Sequence, residues 1–397
     1  MSFLMKFCLR RFGIHGNILK IVIFIAIIPG FSSAACLEAQ DSLKVSGQVS
    51  AWLNINPSGK LPVWFNGRYI PQLNLSTKDK KSRLFDSELS ANIYGNAAFQ
   101  PFDSSYFSGR IKPYRGWVRF STNQLELRLG LQKINFGSAS ILRPLMWFDQ
   151  LDPRDPLHLT DGVWALLGRY YFLNNVNIWV WGLYGNNKPM GWEVVPVNKR
   201  YPEFGGRIQL PVPGGEAAVS YHHRIADNRG MEIFTGYYDR IPEDRFGLDA
   251  KWDLNIGLWV EGSWTKKWKD IGPYTNEEIL NAGIDYTFGI GNGLYVACEQ
   301  LLVSLDEKPF GFRDKRFLSL ATANYPLGLF DRLTGILFFD WSANKIYNFV
   351  SWQRQYDKIT IYIMGYWNPE TFILPSSTGN NELFSGKGIQ LMFVFNH

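Results

Sequence analysis

The sequence predicts an all-β protein: a transmembrane antiparallel β-barrel of about 18 strands, in the range 16 to 18, with a long third extracellular loop. Three observations carry this expectation. Apolar and polar residues alternate with period two in segment after segment, the pattern of a sheet with one face in lipid and the other in water. Aromatic residues make up 16% of the 397-residue chain, yet mean hydropathy is only -0.14, as two-faced strands with interfacial aromatic girdles require. Short turn-like connections alternate with long ones, so that one rim carries turns and the other carries loops. A soluble sandwich or propeller would share the strands without that rhythm.

At the N-terminus, Lys6, Arg10, Arg11 and Lys20 precede the apolar run Ile21 to Ile28, followed by Pro29-Gly30 and the small residues Ser32-Ser33-Ala34-Ala35. That is the pattern of a secretory signal, and the run is too short to span a bilayer as a helix. The chain thus divides into residues 1–35, a cleaved signal peptide, and residues 36–397, one barrel. Lys and Arg number 41 against 35 Asp and Glu, and four of the basic residues lie in the signal. The basic balance is therefore mostly targeting, and nucleic acid is not implied. Cys8, Cys36 and Cys298 build no disulfide framework. Cys36, directly after Ala35, resembles the acylated Cys of a bacterial lipoprotein, with Ser33 where that motif has Leu.

From Leu43 to Ile55 apolar residues hold the odd positions, with Lys44, Ser46, Gln48, Ser50 and Asn54 between them. After Asn56-Pro57-Ser58-Gly59 the pattern resumes, with Val63, Phe65, Tyr69, Leu73 and Leu75 against Asn66, Arg68, Gln72 and Asn74, which completes a hairpin. Phe85, Leu89 and Ile93 then oppose Asp86, Glu88 and Asn92, and Tyr114, Val118 and Phe120 oppose Arg115 and Arg119. Leu125 to Gln132 alternates strictly. After Lys133 the apolar residues move to even positions, Ile134 and Phe136, which predicts a bulge or bend at the rim. Later segments repeat the scheme as far as the last strand, where Ile389, Leu391, Phe393 and Phe395 share one face. That strand resembles the terminal signal read by the outer-membrane barrel assembly machinery.

The connection from Gly137 to Asp161 is too long for a hairpin. Pro144, Pro153 and Pro156 restrict its course, and Ile141-Leu142 and Leu145-Met146-Trp147-Phe148 must pack on something. Folding into the lumen makes it a constriction, with Arg143, Asp149, Asp152, Arg154 and Asp155 as its charged residues; packing over a neighbouring subunit is the other answer. Ionisable groups on a barrel wall are expensive unless they face water, which places Arg115, Arg119, Arg128, Arg169 and Arg207 on one inner arc and Asp249, Glu261, Asp285 and Glu299 on another. Facing arcs would set up a transverse field, whereas charges paired between neighbouring strands would not. The five His show no metal-ligand spacing and no nucleophile motif occurs, so neither enzyme activity, nor a metal, nor a cofactor is expected.

Arg128-x-Gly130-x-Gln132-x-Ile134, then Phe136-Gly137, then Asp152-Pro153-Arg154-Asp155-Pro156 resembles a segment of porin-like bacterial outer-membrane β-barrel families, among them alginate-export-like and uncharacterised porin families. Asp152 stands where those families have Asn. The resemblance covers about 50 residues and implies an outer-membrane channel of a Gram-negative bacterium, reached through the cleaved signal. The expected function is passage of small polar or charged solutes through a lumen narrowed by residues 137–161. The alternative is a polysaccharide-export or surface-attachment barrel with a plugged lumen, in which Trp192, Tyr201, Tyr237 and Tyr238 stack on sugars. Expected partners are outer-membrane lipid and lipopolysaccharide, the assembly machinery, and small solutes or oligosaccharides; homo-oligomer formation is left open.

Overall fold

A computed structural model describes residues 40–59, 61–79, 83–100, 105–231, 234, 236–370 and 384–397. The expected signal peptide and Cys36 lie outside them. Eighteen strands follow one another among the described residues. They are β1 (Gln40–Ile55), β2 (Val63–Lys78), β3 (Leu84–Phe99), β4 (Ser105–Ser121), β5 (Leu125–Gln132), β6 (Val163–Tyr171), β7 (Asn177–Leu183), β8 (Glu203–Val212) and β9 (Gly215–Ala226). The second half comprises β10 (Ile241–Asp253), β11 (Gly257–Lys267), β12 (Asn276–Phe288), β13 (Leu294–Asp306), β14 (Asp314–Pro326), β15 (Asp331–Asp340), β16 (Lys345–Gln355), β17 (Ile359–Trp367) and β18 (Lys387–Asn396).

Each strand pairs antiparallel with its sequence neighbours, and β1 pairs with β2 on one edge and β18 on the other, so the sheet closes. Closure leaves no sheet edge within the wall, the condition for strands to span lipid. The alternation sets the faces. Phe65, Leu129, Val180, Leu248, Val260, Ile389 and Phe393 are exposed on the outside, while Ser50, Asn54, Gln132 and Asn281 are buried on the inside. Outer aromatics pair across strands, with Phe85 and Phe120 centroids 4.8 Å apart and Phe246 stacked on Trp264 at 5.4 Å. An outer surface this apolar is stable only in lipid.

Even-numbered strands end in short connections, such as 122–124, 213–214 and 254–256, and odd-numbered ones in long connections, such as 133–162 and 184–202. Residues 341–344 are a short exception on the long-loop rim. The connection 368–386 lies on that rim too, with 371–383 outside the described residues.

Two details differ from the sequence pattern. The alternation around Tyr114 suggested a strand starting there, whereas β4 begins at Ser105. Arg115 pairs with Ser90 and Pro113 with Ala91, so Tyr114 is an extra residue, a β-bulge that inverts the phase before it. Lys112 and Arg110 therefore share the inner face with Arg115 and Arg119. At Lys133, where a bulge or bend was expected, β5 stays in register with β6 to its last residue, Gln132. The chain leaves the wall there, and Ile134 and Phe136 are buried inside the barrel.

Candidate functional site

The third long connection, residues 133–162, lies across the lumen. Its first arm packs Ile134, Phe136, Leu145, Trp147 and Phe148 against Val163, Leu167, Trp181 and Leu183 of β6 and β7. Phe136 stacks on Trp181 at 5.4 Å, and Phe148 meets His222 edge-on at 4.9 Å. Burial of each such side chain contributes roughly 1.5–3 kcal/mol, which offsets part of the cost of ordering the arm. On the opposite side, Leu142 joins Leu301, Leu318, Phe338, Phe349 and Tyr366, an apolar patch of the inner wall from β13 to β17.

Polar contacts define the course between these two anchors. Arg143 donates to Asp149 Oδ2 at 2.7 Å and to the Phe136 carbonyl at 2.8 Å, which ties the arm into a closed turn. Trp192, from the 184–202 connection, donates through Nε1 to the Arg143 carbonyl at 2.7 Å. The backbone N–H of Gln150 donates to Thr160 Oγ1 at 2.8 Å, joining the outgoing and returning arms. Gly137 has φ 110° and rests on the Glu261 carboxylate, where any Cβ would collide, so both its backbone and its contact require glycine.

The acidic inner residues receive this loop. Glu261 accepts from the backbone N–H of Ala139 at 2.8 Å and of Leu145 at 2.7 Å. Glu299 accepts from Ser140 at 2.9 Å, Ile141 at 3.0 Å and Leu142 at 2.6 Å. Asp249 accepts two bonds from Arg207, at 2.5 and 2.9 Å, and one from Ser138 Oγ at 2.9 Å. Asp285 lies lower on β12 and accepts from Tyr295 at 3.1 Å. The acidic arc thus serves mainly as a seat for the loop and does not face open water.

The basic residues divide likewise. Arg115 donates to the Thr160 carbonyl at 2.9 Å and holds the returning arm. Arg119 pairs with Asp86 at 2.5 Å, while Arg119, Arg128 and Arg169 all approach Glu126, at 3.5, 3.1 and 3.6 Å. Arg128 lies over Trp117 and Arg169 over Trp179, at 4.7 and 3.9 Å. Three guanidiniums share two carboxylates here, leaving a basic excess on the wall from β4 to β6.

A cavity of about 260 Å³ remains between the loop and the opposite wall. Trp52, Asn66 and Arg68 of β1 and β2 and Gln390 of β18 form one side, and Asp152, Arg154, Asp155 and Pro156 the other. Arg154 grips Asp152 through Nε and Nη2, both at 2.8 Å, which neutralises the two together. Asp155 Oδ2 faces Arg68 Nη1 at 3.8 Å, and the Arg68 guanidinium lies over Trp52 at 5.2 Å. Burial pushes the Asp155 carboxyl up, against the backbone N–H of Leu157 and the charge of Arg68. Burial also opposes ionisation of Asp161, but Lys112 at 2.5 Å and Lys188 at 3.6 Å outweigh it and hold that carboxyl below its usual range.

All five expected loop residues therefore belong to one folded loop, with Arg143 and Asp149 in its interior and Asp152, Arg154 and Asp155 at the cavity. The sequence reading passed over Arg68, Trp52, Lys112 and Asp161. Arg68 carried a signal, being on the polar phase of its strand; Lys112 was hidden by the bulge. Of the aromatics expected to stack on sugars, Trp192 points inward onto the loop and Tyr201 lies under Arg240 at 4.8 Å, while Tyr237 and Tyr238 are exposed.

No family model and no curated protein matches the chain. Among solved structures it resembles OccAB1 of Acinetobacter baumannii, with TM-score 0.54 and 8% identity over 90% of this chain and 97% of that one. It also resembles OccK5 (OpdH) of Pseudomonas aeruginosa, with TM-score 0.52 and 10% identity over 92% of this chain and 99% of that one. At these identities the likeness concerns architecture alone: the chain is a closed 18-stranded barrel of the porin type, the fold of OccAB1 and OccK5.

Proposed function

We propose that the protein is a porin of the outer membrane of a Gram-negative bacterium, passing small polar or charged solutes. The carrying observation is the loop 133–162, which is fixed across the lumen yet leaves a charged cavity between Asp152–Pro156 and the wall at Arg68. A plug would need no such gap, and a surface-attachment barrel would leave Trp192 outside. Narrowness together with charge favours solutes that exchange water for polar contacts in passing. The basic excess around Glu126 tilts the passage below the loop towards anions. Residues 1–35 act as the cleaved signal, lipopolysaccharide surrounds the outer aromatic belt, and the assembly machinery reads β18. In planar bilayers the purified barrel is expected to give stepwise conductance. Silence at every voltage, from protein with heat-modifiable gel mobility, would overturn the reading.

A further inference from the structure

The two carboxylates that seat the loop have an unusual set of partners. Glu261 and Glu299 are 2% and 3% exposed, and among the described residues neither forms an ion pair. Their four oxygens instead accept five backbone N–H groups, all from residues 139–145. Both oxygens of each carboxylate are in use. An ionised carboxylate accepts at every lone pair, whereas protonation converts one of its acceptor sites into an O–H donor. Five donors on two carboxylates are therefore best matched when both are ionised.

The groups facing them come from several elements. Around Glu261 are Asp249 of β10, itself bound by Arg207 of β8, and Arg143 of the loop, engaged with Asp149. Around Glu299 are Asn281 of β12 and Tyr295 of β13, the latter bonded to Asp285. No facing cation is left over to replace the amides.

We propose that Glu261 and Glu299 are positioning residues whose ionisation sets the aperture, and that protonating them unseats residues 139–145. The seat reaches the cavity mechanically. Arg143 and Asp149 close the turn, and Gln150 N–H to Thr160 ties it to the arm carrying Asp152–Pro156. When the turn leaves β11 and β13, that arm withdraws from the wall at Arg68 and the passage widens. Leu142, whose N–H donates to Glu299 while its side chain sits on the apolar patch, follows. This inference rests on the loop being the constriction of a channel.

Glu261→Gln and Glu299→Gln test it, because a glutamine has one acceptor and turns its NH2 against an N–H donor. The wild type is expected to rise in single-channel conductance, by about twofold or more, as pH falls from neutral into the carboxylate range. The double variant is expected to show the acid-state conductance already at neutral pH and to have lost the pH dependence. Chymotrypsin, excluded from the buried Leu142 of the wild type at neutral pH, is expected to cut there in the variant. Raised conductance with an unchanged pH profile would mean a merely structural role and would overturn the proposal, as would wild-type behaviour throughout. If a variant fails to reach the heat-modifiable barrel, the wild-type pH profile decides, and a flat one refutes the idea. A wild type silent in bilayers counts against the channel reading, and chymotryptic cleavage after Leu142 then judges the seat by itself.

Discussion

Arg68 and Asp155 form an ion pair on the lining of the cavity at 3.8 Å, with 19% and 25% of their side chains exposed, so charge removal should be legible in ion selectivity. Two unit charges at this distance interact by about 1 kcal/mol in water and about 4 kcal/mol at an effective dielectric of 20. The pair touches solvent and works in salt, so the lower figure applies. A passing ion next to either residue feels a term of the same size, opposite in sign for anion and cation, and about 1 kcal/mol is a factor of about five in the permeability of each. Arg68→Ala is expected to lower anion permeability about fivefold and raise cation permeability about as much, and Asp155→Asn to do the reverse. The double variant should return near the wild type. Reversal potentials in a salt gradient measure all three, and the shifts should shrink as salt is raised.

Acid supplies the same perturbation without a mutation. Because burial raises the Asp155 carboxyl, the fold prefers its neutral form. Its contribution to stability is therefore fully present below the ordinary aspartate value and is lost as pH rises through the raised one. Lowering pH should neutralise Asp155 before ordinary aspartates and move selectivity towards anions, as Asp155→Asn does. Arg68, Asp152 and His158 face the same carboxyl, and none of them changes the sign. Single variants that both shift selectivity the same way, or not at all, would refute the placement of the passage beside this ion pair.

Gly137→Ala combines an unfavourable φ of 110° with a Cβ driven into Glu261, and should release the loop at neutral pH, seen as noisier and larger conductance steps. Arg224→Ala removes one of the two guanidiniums shared by Glu243 and Glu193, which it meets at 2.6 and 3.1 Å, and leaves them Arg245 at 2.7 and 2.8 Å. The expected loss is about 1.5–3 kcal/mol, read as a lower denaturant midpoint of the detergent-solubilised barrel. Asp161 is held ionised by Lys112 and Lys188, so its stabilisation of the returning arm is present above the ordinary aspartate value and lost as pH falls through the depressed one. Asp161→Asn should remove that acid-dependent part of proteolytic protection of residues 150–162, and unchanged protection would show that the pairs with Lys112 and Lys188 hold nothing.

The barrel was legible because its constraint is periodic. A strand between lipid and water repeats its pattern every second residue, so Leu125 to Gln132 or Ile389 to Phe395 announces its faces without knowledge of any neighbour. Where the period breaks, legibility stops. The bulge at Tyr114 shifted the phase upstream and concealed Lys112, and the departure of the chain at Lys133 looked like a bend because leaving a sheet and bulging within it both invert the alternation. The inward direction of Glu261 and Glu299 could be read, but their partners could not. A backbone N–H has no side-chain signature, and five of them satisfy these two residues.

This matters for where a transverse field can exist. Two arcs of opposite charge on the inner wall would polarise the whole lumen only if both faced water. Here the acidic arc is occupied by the loop and by Arg207, and the basic arc is largely matched by Asp86 and Glu126. A partly exposed pair of opposed charges remains at Asp155 and Arg68, on the edge of the cavity where the loop returns to the wall. The loop thus moves the field: by consuming one carboxylate array as a seat, it presents a different carboxylate close to a guanidinium. A solute crossing there meets both signs within a few ångströms, which orients a dipole far more strongly than arcs a barrel's width apart, because the interaction falls with distance and is screened beyond about 10 Å.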